Sequence, residues 1–382
     1  MAQPVFSILI STFCRAPLIG DAINSVLTQD FSDFEIIVSD NWSGDSTPEI
    51  LATLTDPRIT MTQPPKHCSN ADNLEHALSL AKGTYVMVLP VTDALVGGAL
   101  TSFKRAIDTT KAAFAFSLAA DYFDDAFIPT AQASKLVLPG GSGRTLKISA
   151  TEYLAPLYAL TPSLPVRLSA YVVARSTCDE VKLKAGVVFS GEGPEFFTWP
   201  AVMSVAKRAT MVDQALVVIR HTPNPPSEPA TDGTTPAAVY AIHHAWENDL
   251  VTAPVCAHAE TNLLAEGVWR AQQQMSVTPL ARFGRDEHRY AELLGAELSR
   301  LKDAGKDMGD VPANLAAWSA RLPATIEGRV RRNRLVAKYA ARVTQARRAR
   351  GYVKASVVDC TKDNIHTMLD ACGYVEGASG RP

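Results

Sequence analysis

The apolar positions of the first hundred residues switch repeatedly between two periods. Val5-Phe6-Ser7-Ile8-Leu9-Ile10, closed by Ser11 and Thr12, is a short apolar run that reads as a buried strand. Ile19, Ala22, Ile23, Val26 and Leu27 then recur at helical spacing and make one stripe. The segment 34–39 is a second strand, and Asp40-Asn41-Trp42-Ser43-Gly44-Asp45 is dense in turn formers. Thr47-Pro48-Glu49 has the chemistry of a helix start: a capping hydroxyl, proline at the first position and an acid facing the macrodipole. Residues 59–62 form a weak third strand. Leu74, Ala77, Leu78 and Ala81 predict another helix, with Gly83 as its left-handed cap before a strand over 85–89. Strands alternating with helices imply an α/β fold around a parallel sheet.

Beyond residue 100 the pattern is fainter. It predicts a helix near 98–110, a strand near 113–118 and a loop at Pro139-Gly140-Gly141-Ser142-Gly143. The proline-rich stretch 223–236 cannot hold a helix or a central strand. It divides a first domain, 1–222, from a region, 237–382, that reads as helical. A length of 382 residues suits one large domain with a smaller appendage. The sequence contains no internal repeat and no glycine-rich phosphate loop of the Walker or dinucleotide type.

Composition narrows the class only a little. Apolar residues at 47% and charged residues at 20% are ordinary for a chain with a buried interior, and a net charge of −2 gives no pull toward nucleic acid. The cysteines at 14, 68, 178, 256, 360 and 372 stand singly, without zinc-ligand spacing, as in a reduced interior. No apolar run reaches membrane-spanning length, and no basic residue precedes the first apolar run as in a signal peptide. The expected location is the cytoplasm.

In an open parallel sheet, ligands bind beyond the carboxyl ends of the strands. That rule gathers Thr12, Asp40 and Thr92-Asp93 on one rim, a hydroxyl and two carboxylates. Ser11-Thr12-Phe13-Cys14-Arg15, then 22–29, then Glu35-Ile36-Ile37-Val38-Ser39-Asp40-Asn41 with Ser43, and further on Asn73 and Ala81-Lys82-Gly83-Thr84-Tyr85-Val86, together resemble the opening of family 2 glycosyltransferases. The resemblance covers residues 5–100. It implies a GT-A type domain over 1–222, with a mostly parallel central sheet flanked by helices and a helical C-terminal region. It also implies a nucleotide-sugar donor, a UDP-sugar above all, transfer with inversion, and a glycan or lipid-linked acceptor.

By the same resemblance Asp40 accepts hydrogen bonds from the base or ribose, with Thr12 lining that pocket. Arg15, Asn41, Asn73, Thr92, Asp93 and Arg220 complete the donor-binding set. Relatives carry two or three aspartates as a metal motif, whereas Leu89-Pro90-Val91-Thr92-Asp93-Ala94-Leu95 keeps one. The implied cofactor is Mg or Mn, with Asp93 and His221 as the candidate ligands. Relatives also place an acidic pair at a helix start, a fixed distance before a strand ending in arginine. Counting back from Arg220 puts Glu195 on the catalytic base, with Glu192 as the alternative. An inverting transfer needs such a carboxylate to take the acceptor proton. The leaving diphosphate needs positive charge, from a metal, Arg15, Arg220, His221 or a helix N-terminus.

Plainer readings stand beside these. Asp40 is also a turn former, Asp93 a helix cap, Glu195 a first-turn acid and His221 a rim histidine. Residues 321–354 carry eleven basic residues and one acid, Glu327, with Leu335, Tyr339 and Val343 on one face. That helix is either a solvated surface or a peripheral contact with the anionic inner face of a membrane. The rival functions are a catalytically inactive relative that binds nucleotide sugar or serves assembly, and a nucleotidyltransferase. The latter lacks its usual glycine-rich segment here.

Overall fold

The computed structural model describes residues 3–125, 131–160, 167–191, 193–222, 253, 260–275, 285–303, 309–322, 337–339, 341–342 and 355–379. The proline-rich stretch 223–236, Glu192 and most of the basic segment 321–354 lie outside the described residues.

The first half follows the sequence pattern closely. Strands β1 (Phe6–Thr12), β2 (Phe34–Asp40), β3 (Ile59–Thr62) and β4 (Tyr85–Val88) alternate with helices α1 (Ala16–Leu27), α2 (Thr47–Ala52) and α3 (Asn70–Leu80). They pair in parallel in the order β3-β2-β1-β4. Two local expectations change. Ser46, not Thr47, precedes the first turn of α2, and the Thr47 hydroxyl bonds the Asp45 carboxylate instead. Gly83 is not a left-handed cap: α3 ends at Leu80 with an extended Ala81. The reason for glycine at 83 is close approach, because a Cβ there would lie 2.5 Å from the Ser7 backbone nitrogen.

After β4 come β5 (Asp93–Leu95), α4 (Ala99–Thr110), β6 (Phe114–Phe123), β7 (Lys135–Leu138), β8 (Thr145–Ser149), α5 (Ala150–Tyr158), β9 (Tyr171–Ala174), α6 (Arg175–Ala185), α7 (Pro194–Ala206) and β10 (Arg208–His221). Here the sheet becomes mixed. Strand β9 lies between β4 and β6 and runs antiparallel to both, so β6 points the same way as β4. Strand β10 in turn runs parallel to β6. The carboxyl ends of β1, β2, β4, β6 and β10 therefore all open on one rim. Helix α6 returns to that rim from the far end of β9, so α7 starts there as well.

Among the described residues the C-terminal region is helical, with α8 (Glu260–Gln274), α9 (Glu287–Asp303), α10 (Val311–Ser319) and α11 (Met368–Ser379), except for one strand, β11 (Ser356–Asp359). Strand β11 pairs antiparallel with β7 at the sheet edge. Helices α8, α9 and α10 bury Trp269, Tyr290 and Leu315 in the same core as α3, α5, α6 and α7. Helices α1 and α4 fill the core on the other face, and α11 closes a third cluster over β6, β10 and β11.

Candidate functional site

The rim is built from the ends of β1 and β2 outward. Thr12 and Asp40 are register partners across the two strands, both nearly fully buried. The Thr12 hydroxyl oxygen is buried with no hydrogen-bond partner among the described residues. A buried polar group left unmatched costs stability unless something binds it, so this oxygen marks a place for a ligand. Asp40 accepts from the Ser43 backbone and hydroxyl on one oxygen, and from Gln63 Nε2 at 3.2 Å on the other.

The turn after β2 also holds the wall opposite. The Asn41 amide donates to the Cys68 carbonyl at 2.7 Å and accepts from the Cys68 nitrogen at 3.0 Å, while the Trp42 indole donates to the Pro64 carbonyl. Asn41 thus spends both ends of its amide on backbone, and shapes the pocket instead of reaching into it. Asn73 behaves likewise: it accepts from the Ser39 hydroxyl and donates to the Ser39 carbonyl, which ties α3 to the end of β2. Cys14 and Trp42, one just past each strand end, both have left-handed backbone, at φ 49° and 63°. Such strain at two non-glycine residues side by side is typical of a binding rim. Trp42 keeps half of its surface exposed.

Arg15 stands at the N-cap of α1 without capping it through its side chain, which donates to the Cys14 carbonyl, and burial lowers its pKa. The Asp45 carboxylate accepts from the Ala16 nitrogen at 3.0 Å, so the N-terminus of α1 already has an anion.

Asp93 starts β5 opposite Ile219 of β10 and is 5% exposed. Its oxygens accept from the Thr92 hydroxyl at 2.8 Å and the Ser169 hydroxyl at 2.5 Å. Burial pushes its carboxyl up to about 6, against the opposing effect of these hydroxyls and of Arg167 and His221. Arg220 donates through Nε to Asp124 at 2.8 Å and reaches Asp21 at 3.5 Å. His221 Nε2 lies 2.8 Å from Asp121, with its ring stacked on Phe123 at 4.4 Å. Among the described residues no group of three His, Cys, Asp or Glu side chains is arranged to hold a cation. The donor set does not fit a preformed Mg or Mn site, since Asp93 is buried under two hydroxyls and the His221 Nε2 is engaged with Asp121.

Glu195 sits in the first turn of α7, half-buried. Burial, then Tyr153, then Glu195 raise the pKa of Tyr171, whose strand starts beside the Ser169 that touches Asp93. The carboxylate therefore belongs to the same rim. Glu75 on α3 accepts from the Val188 and Phe189 nitrogens, Thr198 donates to the Val188 carbonyl, and Arg270 on α8 bonds Ser190. Three helices thus hold the loop that leads into Glu195.

Sequence reasoning missed Asp21, Asp121, Asp124, Arg167, Ser169 and Trp42. Asp21, Asp121, Asp124 and Ser169 reach the rim only through pairings of residues 76 or more positions apart, and Arg167 comes in with the segment of Ser169. Trp42 alone carried a local signal, an aromatic residue inside a turn.

Residues 7–135 match the family model described as Glycosyl transferase family 2. The GalNAc(5)-diNAcBac-PP-undecaprenol beta-1,3-glucosyltransferase of Campylobacter jejuni is 39% identical over 107 residues, 27% of this chain and 34% of that protein. The UDP-Glc:alpha-D-GlcNAc-diphosphoundecaprenol beta-1,3-glucosyltransferase of Escherichia coli is 30% identical over 112 residues, 29% of this chain and 44% of its own. The chain thus spans less than half the length of these relatives. The structure of S. aureus TarS 1-349 in complex with UDP-GlcNAc aligns over 90% of this chain and 92% of its own, at 15% identity and a TM-score of 0.48. Thr12, Asp40 and Asp93 of the rim all lie inside the segment that matches glycosyl transferase family 2.

Proposed function

We propose that the chain transfers a hexose from a UDP-sugar to a hydroxyl of a lipid-linked glycan, with inversion at the anomeric carbon. The observation that carries this reading is the Thr12 hydroxyl, buried and unpartnered beside Asp40 at the end of β1, inside the matched segment. The names of the two curated relatives, both glucosyltransferases with undecaprenyl-linked acceptors, support the substrate classes.

In this reading Thr12 and Asp40 hold the nucleoside, within the wall that Asn41, Trp42 and Asn73 keep in place. The acceptor oxygen attacks the anomeric carbon from the face opposite the diphosphate. The bond from that carbon to the diphosphate oxygen breaks, and its electron pair leaves with the nucleotide. Glu195 takes the acceptor proton, with Glu192 as the alternative base. The half-buried position of Glu195 keeps it accessible to an acceptor while its loop is held by α3, α7 and α8. The proposed place of work is the cytoplasmic face of a membrane, where a lipid-linked acceptor lies. Among the described residues no helix is long and apolar enough to cross a membrane.

The test is transfer from UDP-, GDP-, CDP-, ADP- and dTDP-hexoses to an undecaprenyl-diphosphate-linked glycan, with the anomer of the product read by NMR. A β-linked product from an α-linked UDP-hexose is expected. Donor binding with neither transfer nor hydrolysis would replace this reading by that of a nucleotide-sugar-binding protein.

A further inference from the structure

The single carboxylate left in the metal motif has a different occupation in this chain. Asp93 holds Ser169 at 2.5 Å, and this contact is one of three that fix residues 167–170 against the sheet. The Trp199 indole of α7 donates to the Arg167 carbonyl at 3.0 Å, and the Ser117 nitrogen of β6 donates to the Ala170 carbonyl at 2.9 Å. Trp199 is itself stacked on Tyr171, with ring centres 4.5 Å apart. A short segment pinned from β5, β6 and α7 carries Arg167, whose backbone carbonyl is held by Trp199. The guanidinium is exposed to solvent and acts electrostatically on Asp93.

The other rim arginines are differently placed. Arg220 is neutralised by Asp124 and Asp21, and Arg15 is desolvated beside the Cys14 carbonyl. The N-terminus of α1 has Asp45. No carboxylate among the described residues forms an ion pair with Arg167.

We propose that Arg167 receives the diphosphate of the donor, and that Asp93 serves as the anchor of its segment and not as the ligand of an ion. A planar guanidinium offers parallel N–H donors that match phosphate oxygens, and its charge persists at any working pH. Close enough to act on Asp93, it stabilises the charge that grows on the diphosphate as the sugar leaves. The inference rests on the nucleotide-sugar reading above and assigns the charge that the reading requires.

The test is calorimetric titration of the full chain, in EDTA, with UDP, GDP, CDP, ADP and dTDP in turn, and with the nucleoside of whichever binds. Arg167→Gln should weaken the diphosphate about tenfold or more, as loss of a charged hydrogen bond implies. Arg167→Lys should regain part of that loss. The nucleoside should bind the wild type and Arg167→Gln alike, and the salt dependence of diphosphate binding should flatten in the variant. Equal diphosphate affinity in wild type and variant overturns the proposal, as does an equal loss for nucleoside and diphosphate. Diphosphate binding that vanishes in EDTA and returns with Mg or Mn overturns it too, while leaving the donor reading intact. A wild type that binds none of the five, with or without metal, removes the donor reading and this inference with it.

Discussion

Gly267 of α8 lies directly against the first turn of α7: a Cβ at Gly267 would fall 2.6 Å from the Cβ of Phe196 and 2.9 Å from the Phe197 nitrogen. Phe196 follows Glu195, so a helix from beyond residue 236 sets the position of the proposed base.

Gly267→Ala forces those backbones apart. Overpacking of this kind costs about 1–3 kcal/mol, seen as a lower midpoint in thermal unfolding. In transfer assays kcat should fall while the donor KM stays near the wild-type value, because the shift reaches Glu195 and not the Thr12–Asp40 pocket. A donor KM that rises in step with the fall in kcat would speak against this division.

Glu195→Gln keeps shape and hydrogen bonding but removes basicity. Transfer should fall about a hundredfold or more with donor affinity retained. If Glu192→Gln does the damage instead, the register counted from Arg220 is wrong.

Asp40 bonds Ser43 and Gln63, so removal of the whole carboxylate would leave both unpaired. Asp40→Asn retains an acceptor for Ser43, lets Gln63 turn its own amide oxygen toward the new NH2, and takes away the charge that a base or ribose donor would meet. Nucleoside diphosphate affinity should drop about tenfold with little change in unfolding midpoint. Unchanged affinity by calorimetry would contradict a nucleotide role for Asp40.

Free protein should take up little manganese or magnesium, because Asp93 is buried with both oxygens bonded to hydroxyls. Uptake, where it occurs, should need nucleoside diphosphate to supply the missing oxygens. Tight metal binding without nucleotide, localised to this rim, is the contrary result.

The basic segment 321–354 should bind anionic vesicles in a salt-dependent manner. Truncation after residue 320 is a poor probe, since it also strips β11 and α11 from the sheet. Glutamine at Arg347, Arg348 and Arg350 together tests the charge alone. Sedimentation equal to wild type would set the membrane role aside.

The alternation β1-α1-β2-α2-β3-α3-β4 was legible because each element announces itself within a dozen residues. Residues 119–170 were opaque for the opposite reason. Strands β7 and β8, and β9 just beyond them, have four or five residues each, too few to display a period, and depend on partners far along the chain. The site divides the same way. Thr12, Asp40 and Asp93 follow strand ends and could be placed by rule. Ser169 and Arg167 reach the rim only because Asp93 and Trp199 hold them there. Asn41 and Asn73 were assigned to the donor by resemblance, and only the fold reveals that the Cys68 backbone occupies the amide of the first and Ser39 that of the second.

Pairing of β11 with β7 also orders events in time. Lys135 of β7 waits for Asp359, 224 residues later, before its side chain finds a partner at 3.0 Å. During synthesis β7 therefore emerges as a bare sheet edge, with unpaired amides open to any neighbouring strand. The interval is long enough at ordinary translation speeds for the first domain to collapse while that edge is exposed. Closure by residues 356–359 makes a strand synthesised long after β7 the guard of that edge against aggregation.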